Sequence, residues 1–279
     1  MKIFFRVIGI FTLLIGSFMY NEKVATTAKT TDTLLDEIKL KSINYKIEPK
    51  EAIIEENKII PGINGKEVDT KKSYERIREI GYFNDKLLVY KQIKVKNKLK
   101  DNKDKYIISG NQSKREVSLI FKVNNDITNI LNMLNKEKGT FYITSTFLEN
   151  NHNLVIEMLK EGHTIGNLSN NRDYTDSDFI WMKTILTSTK YQKYNYCYAE
   201  SENKETIKIC KLQNSYTIMP LVIKDKPFIT LKNNLKEGGI YSFEINNNLK
   251  EELPNIINYI NAKGYKIKSL EKLLDENKY

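Results

Sequence analysis

An α/β fold with a parallel sheet or barrel, preceded by a small mixed accessory region, is the class this sequence predicts. Three observations carry it. From Gly110 onward, short apolar strand patterns alternate with helical patterns. Gly139, Gly162 and Gly264 stand where helical stretches should stop. Thr31 to Lys105, by contrast, is highly charged, with only short apolar clusters. The 279-residue chain has room for one such domain and a smaller attachment.

Composition narrows the functional class. Apolar residues at 40%, charged residues at 29%, 5 prolines and 12 glycines exclude collagen-like, low-complexity and disordered chains. A mean hydropathy of -0.50 and a single long apolar run exclude a multi-span membrane protein. Two cysteines exclude a disulfide-dense scaffold, and two histidines leave no His-rich metal site. The net charge of +10 comes from lysines scattered among Asn and Ile. No helix-turn-helix, zinc-finger or RNA-binding motif accompanies it, so nucleic acid is not expected as a partner. An anionic surface, such as a cell wall or lipid headgroups, suits such lysines.

The elements follow in order. Lys2 and Arg6 precede Val7 to Tyr20, which carries no charge. That is the pattern of an export signal, so 1–28 reads as a cleaved signal peptide or an N-terminal membrane anchor. Export places the rest outside the cytoplasm, secreted or anchored to the outer face of the membrane. Residues 29–109 read as the accessory region and connector. Asp32 or Thr33 caps a short helix to Leu40, and 61–65 (PGING) is a turn cluster. Gly62 to Lys66 is too short for a phosphate loop and follows no strand. Asp69 or Thr70 caps a helix ending near Gly81; Leu87 to Tyr90 and Ile93 to Val95 read as strands.

Residues 110–279 read as the main domain. Strands are expected at 117–121, 140–143, 164–168, 194–198, 216–219, 240–243 and 265–267. Helices are expected from Asp126 to Lys136, Leu148 to Lys160, Asp176 to Lys190, Glu202 to Leu212, Leu249 to Ala262 and Ser269 to Leu274. In folds of this class the chemistry sits at the carboxyl ends of the strands.

Val117 to Phe121 (VSLIF), then Gly139 to Thr144 (GTFYIT), then Leu159 to Asn167 (LKEGHTIGN) resemble the polysaccharide deacetylase family, the NodB-homology domain of carbohydrate esterase family 4. The tail, Leu253-Pro254 through Lys263 to Ile267 with Leu270, resembles the family's last helix, strand and helix. The likeness spans Gly110 to Leu274. The lead-in with PGING and SYERI resembles that of Gram-positive members.

This resemblance implies a distorted (β/α) barrel that removes N- or O-acetyl groups from chitin-like or peptidoglycan sugars, using a divalent metal such as Zn. A metal with open positions polarises the acetyl carbonyl and acidifies a bound water. The family's first strand ends in Thr-Phe-Asp-Asp-Gly, which supplies a base and a metal ligand. Here Lys122 stands at the base position and Val123 at the ligand position. The two histidine positions hold Leu168 and Arg172, the arginine of Arg-Pro-Pro-Tyr becomes Asn195, and the late histidine becomes Glu244. Aliphatic side chains donate nothing to a metal, and basic ones repel it. Neither a catalytic residue, a metal ligand nor a cofactor is therefore expected. A substitute set of Asp126, Asp173 and Glu244 is disfavoured, because Asp126 is better placed as a helix cap. Lys122 and Arg172 either take over the cationic role, with Glu244 as counter-ion, or fill a decayed site; both readings stay open.

Other residues have plainer expectations. His163 reads as structural and His152 as exposed. Trp181 reads as core, with Phe179, Ile180 and Ile185. Tyr194, Tyr196 and Tyr198 alternate as one face of a strand, and Tyr196 and Tyr198 are candidate glycan contacts. Export permits a Cys197–Cys210 disulfide, while the strand-to-helix separation leaves it open. The leading function is an exported deacetylase-like protein that acts on or binds cell-wall glycan or peptidoglycan without metal-dependent hydrolysis. An active deacetylase with an atypical site and an extracytoplasmic protein-binding module are the alternatives.

Overall fold

The structure, a computed structural model, describes residues 12–21, 33–124, 127–170, 174 and 176–277. Two compact units divide the chain: Met1–Glu48 with Gly65–Ile93, and Pro49–Asn64 with Lys94–Tyr279. The described strands are β1 (Ile53–Glu55), β2 (Lys58–Ile60), β3 (Gly65–Val68), β4 (Tyr90–Ile93), β5 (Tyr106–Ile107) and β6 (Glu116–Lys122). They continue with β7 (Thr140–Ile143), β8 (Thr164–Asn167), β9 (Tyr196–Tyr198), β10 (Tyr216–Ile218), β11 (Leu221–Ile223), β12 (Ile240–Glu244) and β13 (Lys266–Ile267).

The smaller unit pairs β3 with β4 antiparallel and adds helices Thr33–Ser42 and Thr70–Ile77. Its core is Ile38, Val68, Ile77 and Leu88. Asp69 caps the second helix, its carboxylate accepting from the Lys72 amide at 3.1 Å. The strand expected at Leu87 to Tyr90 is instead a 3-10 turn, Asp85–Leu87, before β4. The Asn84 side chain accepts from the Lys86 amide, a local bond that competes with a ladder. Residues 12–21 are helical, while the rest of the leader expected over 1–28 lies outside the described residues. No helix among the described residues is long and apolar enough to cross a membrane.

The larger unit is built on one curled sheet. Its strand order is β1-β2-β5-β10-β9-β8-β7-β6-β12-β11, and β13 pairs with the start of β6. Every pairing is parallel except β1 with β2. The stretch before Gly110 therefore supplies three strands, β1, β2 and β5.

Period-two alternation gives the sheet two different faces. Along β6, Val117, Leu119 and Phe121 join the core shared with the outer helices, as does Val123 just beyond. Ile120 turns the other way, into a core with Tyr142, Tyr196, Tyr216, Ile218 and Ile240. Leu270, Leu273 and Leu274 of the final helical turn complete that inner core. The turn is tied to the amino ends of two strands: Leu270 N–H donates to Thr140 Oγ1 at 2.8 Å, and Glu271 N–H to Thr164 Oγ1 at 3.1 Å. Gly166 makes room for this inner packing, since a Cβ there would lie 2.4 Å from the Tyr142 ring.

Several expected elements differ. The helix expected over Leu148 to Lys160 is two, Ser145–Asn150 and His152–Lys160, broken at Asn151, whose φ is -129°. Strand β11 and helix Pro227–Asn234 form where neither was expected. Helix Asp176–Ser188 buries Phe179, Met182 and Leu186, spaced along one face, and leaves Trp181 at 41% exposure and Ile180 at 51%. The expectation that Trp181 and Ile180 belong to the core is thereby corrected: they sit off the buried stripe. Asp126, expected as a cap, lies outside the described residues.

Candidate functional site

Because the strands are parallel, their carboxyl ends gather at one end of the curled sheet, and a cavity of about 260 Å³ opens there. Lys122 closes β6, Thr144 follows β7, Leu168 and Asn170 follow β8, Tyr198 and Glu200 come from the end of β9, and Glu244 closes β12. Lys122 and Glu244 are register partners across β6 and β12.

At the centre is an ion triad. The Lys122 Nζ donates to Glu200 Oε1 at 2.6 Å and to Glu244 Oε1 at 2.7 Å. The lysine side chain is only 6% exposed, whereas those of Glu200 and Glu244 are 39% and 44% exposed. A lysine this deep is retained only when paired. Burial by itself lowers its pKa, but the hydrogen bonds it donates to Glu200 and Glu244 outweigh burial and hold the ammonium above the ordinary lysine value. The Tyr198 ring lies beneath, its centroid 5.5 Å from Nζ, and the Tyr198 hydroxyl shares a 2.8 Å hydrogen bond with Ser242. Burial pushes the Tyr198 phenol up, so it stays protonated at neutral pH.

The end of β9 is firmly held. Tyr198 N–H donates to the Tyr174 hydroxyl at 2.7 Å, and that hydroxyl donates to the Asn167 carbonyl at 2.7 Å. Cys197 and Cys210 are joined by a disulfide with Cα atoms 6.4 Å apart, pinning β9 to helix Lys204–Leu212. Strand and helix are in fact close enough for the bond.

The expected site residues divide. Lys122, Leu168, Tyr198 and Glu244 line the cavity. Arg172 and Asp173 lie outside the described residues. Val123 is not in the cavity but in the outer core, because alternation along β6 sends it to the face opposite Lys122; Asn124 reaches the cavity instead. Asn195 precedes β9 at its amino end and lies beside Phe179, Met182 and Leu186. The residues reaching the cavity are Tyr198 at the end of that strand and Ala199, Glu200, Ser201 and Asn203 of the loop after it. Tyr196 is buried in the inner core and not at the cavity. Glu200 is the residue that sequence reasoning missed; its signal is its place just beyond the alternating tyrosines. His163 accepts from the Gly139 amide at Nδ1, 3.0 Å, and burial holds its pKa below the ordinary value. The nearby Glu161, 3.6 Å away, therefore faces a neutral ring.

The fold has counterparts among solved structures. The chain matches BA3943 of Bacillus anthracis, a carbohydrate esterase family 4 pseudoenzyme, with a TM-score of 0.65 and 22% identity over 88% of this chain and 96% of that one. The fold is that of the family 4 carbohydrate esterases. A mutant of that pseudoenzyme with restored enzymatic activity matches equally well, at a TM-score of 0.65. Bacillus subtilis PdaA, a family 4 carbohydrate esterase, matches at a TM-score of 0.51 and 21% identity, over 60% of this chain and 84% of its own. In sequence, the chain is 27% identical to the uncharacterized protein YlxY of Bacillus subtilis (strain 168), over 93% of this chain and 89% of that one. No family model matches the chain.

The esterase fold implies a divalent metal, and the described residues do not fit one. Among the described residues no three His, Cys, Asp or Glu side chains group to hold a metal ion. The two carboxylates that converge, Glu200 and Glu244, converge on the Lys122 ammonium. A dication placed between them would meet that fixed positive charge at close range. Leu168, at the cavity wall, contributes no lone pair.

Proposed function

We propose that this protein is an exported, glycan-binding relative of the deacetylases that does not carry out metal-dependent deacetylation. The observation that carries the reading is the Lys122 ammonium, seated between Glu200 and Glu244 at the strand ends. It occupies the base position of the family pattern with a group that is already protonated, so it accepts no proton from a water. What remains is a cavity lined by hydrogen-bonding side chains, among them Asn124, Thr144, Asn170 and Asn203, with the Tyr198 ring in its wall. That lining suits a hydroxyl-rich saccharide ring.

Two further observations support the setting. BA3943 is a pseudoenzyme, and another protein of this fold, Bc1960, is a peptidoglycan N-acetylglucosamine deacetylase, matched at a TM-score of 0.51 and 20% identity. The charge-free run Val7 to Tyr20 behind Lys2 and Arg6, together with the Cys197–Cys210 bond, favours an oxidising extracytoplasmic home.

Acetate release from acetylated chitin oligomers and peptidoglycan, with and without Zn²⁺ or Co²⁺, tests the catalytic half. No release is expected in either case, and metal-dependent release abolished by a chelator would overturn it. Co-sedimentation with insoluble peptidoglycan tests the binding half, with retention expected.

A further inference from the structure

The charge at the cavity indicates which saccharide it takes. Three charged side chains line it among the described residues: the buried Lys122, and Glu200 and Glu244 at their greater exposure. The ammonium is covered by its own partners, so a ligand entering the cavity meets carboxylate. Lys224 approaches Glu200 Oε2 at 3.8 Å from an exposed position and offsets part of that charge, which leaves Glu244 as the dominant anionic contact.

We infer that the cavity recognises a hexosamine whose nitrogen is a free ammonium, the de-N-acetylated form of a cell-wall or chitin-type sugar. This rests on the glycan-binding reading and names its ligand class. An ammonium brings three donors and a positive charge to the Glu244 and Glu200 carboxylates. The N-acetyl form brings one neutral N–H and a methyl group. It would desolvate those carboxylates and give no charge in return. The cavity of about 260 Å³ has room for one ring at a time. On this view the fold has kept its place on the glycan and exchanged the substrate of a deacetylase for the product of one.

Titration calorimetry of the full chain with a chitosan tetramer (fully de-N-acetylated) and with the N-acetylated tetramer separates the cases. The chitosan oligomer is expected to bind at least about tenfold tighter, the size of one charge-assisted hydrogen bond. Raising the salt should weaken that oligomer only. Glu244→Gln keeps an acceptor for Lys122 and removes the charge, so the preference should fall towards parity while the unfolding midpoint shows the fold intact. Equal or tighter binding of the N-acetylated oligomer overturns this inference and leaves the glycan reading standing. A preference that survives in Glu244→Gln also overturns it. Binding of neither oligomer, nor of peptidoglycan, overturns both.

Discussion

The Lys122 ammonium lies 2.7 Å from the Glu244 carboxylate, and the two residues are direct neighbours across parallel strands β6 and β12. Both side chains point to the inner face because their register places them level. Glu200, arriving from β9, closes the other side of the ammonium at 2.6 Å. The site is thus a charge cluster in which one ammonium partly offsets two carboxylates, and its consequences are measurable.

Removing the lysine leaves two carboxylates facing each other. Lys122→Met should destabilise the protein by about 1–2 kcal/mol, less than the 3–5 kcal/mol of a fully buried pair because both glutamates are partly solvated. Adding Glu244→Gln should recover part of the loss. Urea unfolding reads both, and an unchanged midpoint for Lys122→Met would sink the pairing.

The same cluster has an alkaline signature. Burial alone would lower the Lys122 pKa, but Glu200 and Glu244 raise it above 10.5 in the folded state. Its stabilising contribution is then fully present below pH 10.5 and lost as pH rises through the folded value. The stability gap between wild type and Lys122→Met should be constant from neutral pH to 10.5 and narrow above it. A gap independent of alkaline pH would contradict the assignment.

His163 predicts the opposite direction at acid pH. Burial depresses its folded pKa below 6.5, and its Nδ1 accepts from the Gly139 amide. The contribution is present above pH 6.5 and lost as pH falls through the folded value. His163→Asn offers the Gly139 amide another acceptor without a titrating ring. Its urea midpoint should therefore vary less with acidification than that of wild type.

The disulfide should matter to stability and to the site together. The 13-residue separation of Cys197 and Cys210 closes a loop that contributes about 3 kcal/mol. Reduction, or the Cys197→Ser/Cys210→Ser double variant, should lower the unfolding free energy by that order. Glycan affinity should also drop, because β9 carries Tyr198 and Glu200. A reduced protein with an unchanged unfolding midpoint would refute the first expectation.

Gly166 offers a packing test. Alanine there would place its Cβ against the enclosed Tyr142 ring, and overpacking of this kind costs about 1–3 kcal/mol. Gly166→Ala should lower the thermal midpoint, whereas pairing it with Tyr142→Leu should restore part of the loss. A thermal midpoint for Gly166→Ala equal to wild type would show that the ring has room to move.

Local pattern was enough, from sequence, to reveal the alternating βα order beyond Gly110 and a helix start at Asp69 or Thr70, of which the structure uses Asp69. These depend on neighbours within a few positions, where strand period, capping and glycine stops operate. Other features depend on which strands become adjacent and on which face each residue takes. Glu200 enters the site only because β9 lies two strands from β7 and its end curls towards β12. Val123 leaves the site because one step along β6 reverses the face, and Asn195 stays behind because β9 starts after it. Strands β1, β2 and β5 carry too little pattern to announce themselves, with three, three and two residues; β5 and β2 have partners distant in sequence, β5 pairing with the edge of β10 and β2 with β5, and β1 pairs with β2. Sequence set the chemistry of the side chains, and the register of distant strands decided which of those side chains meet.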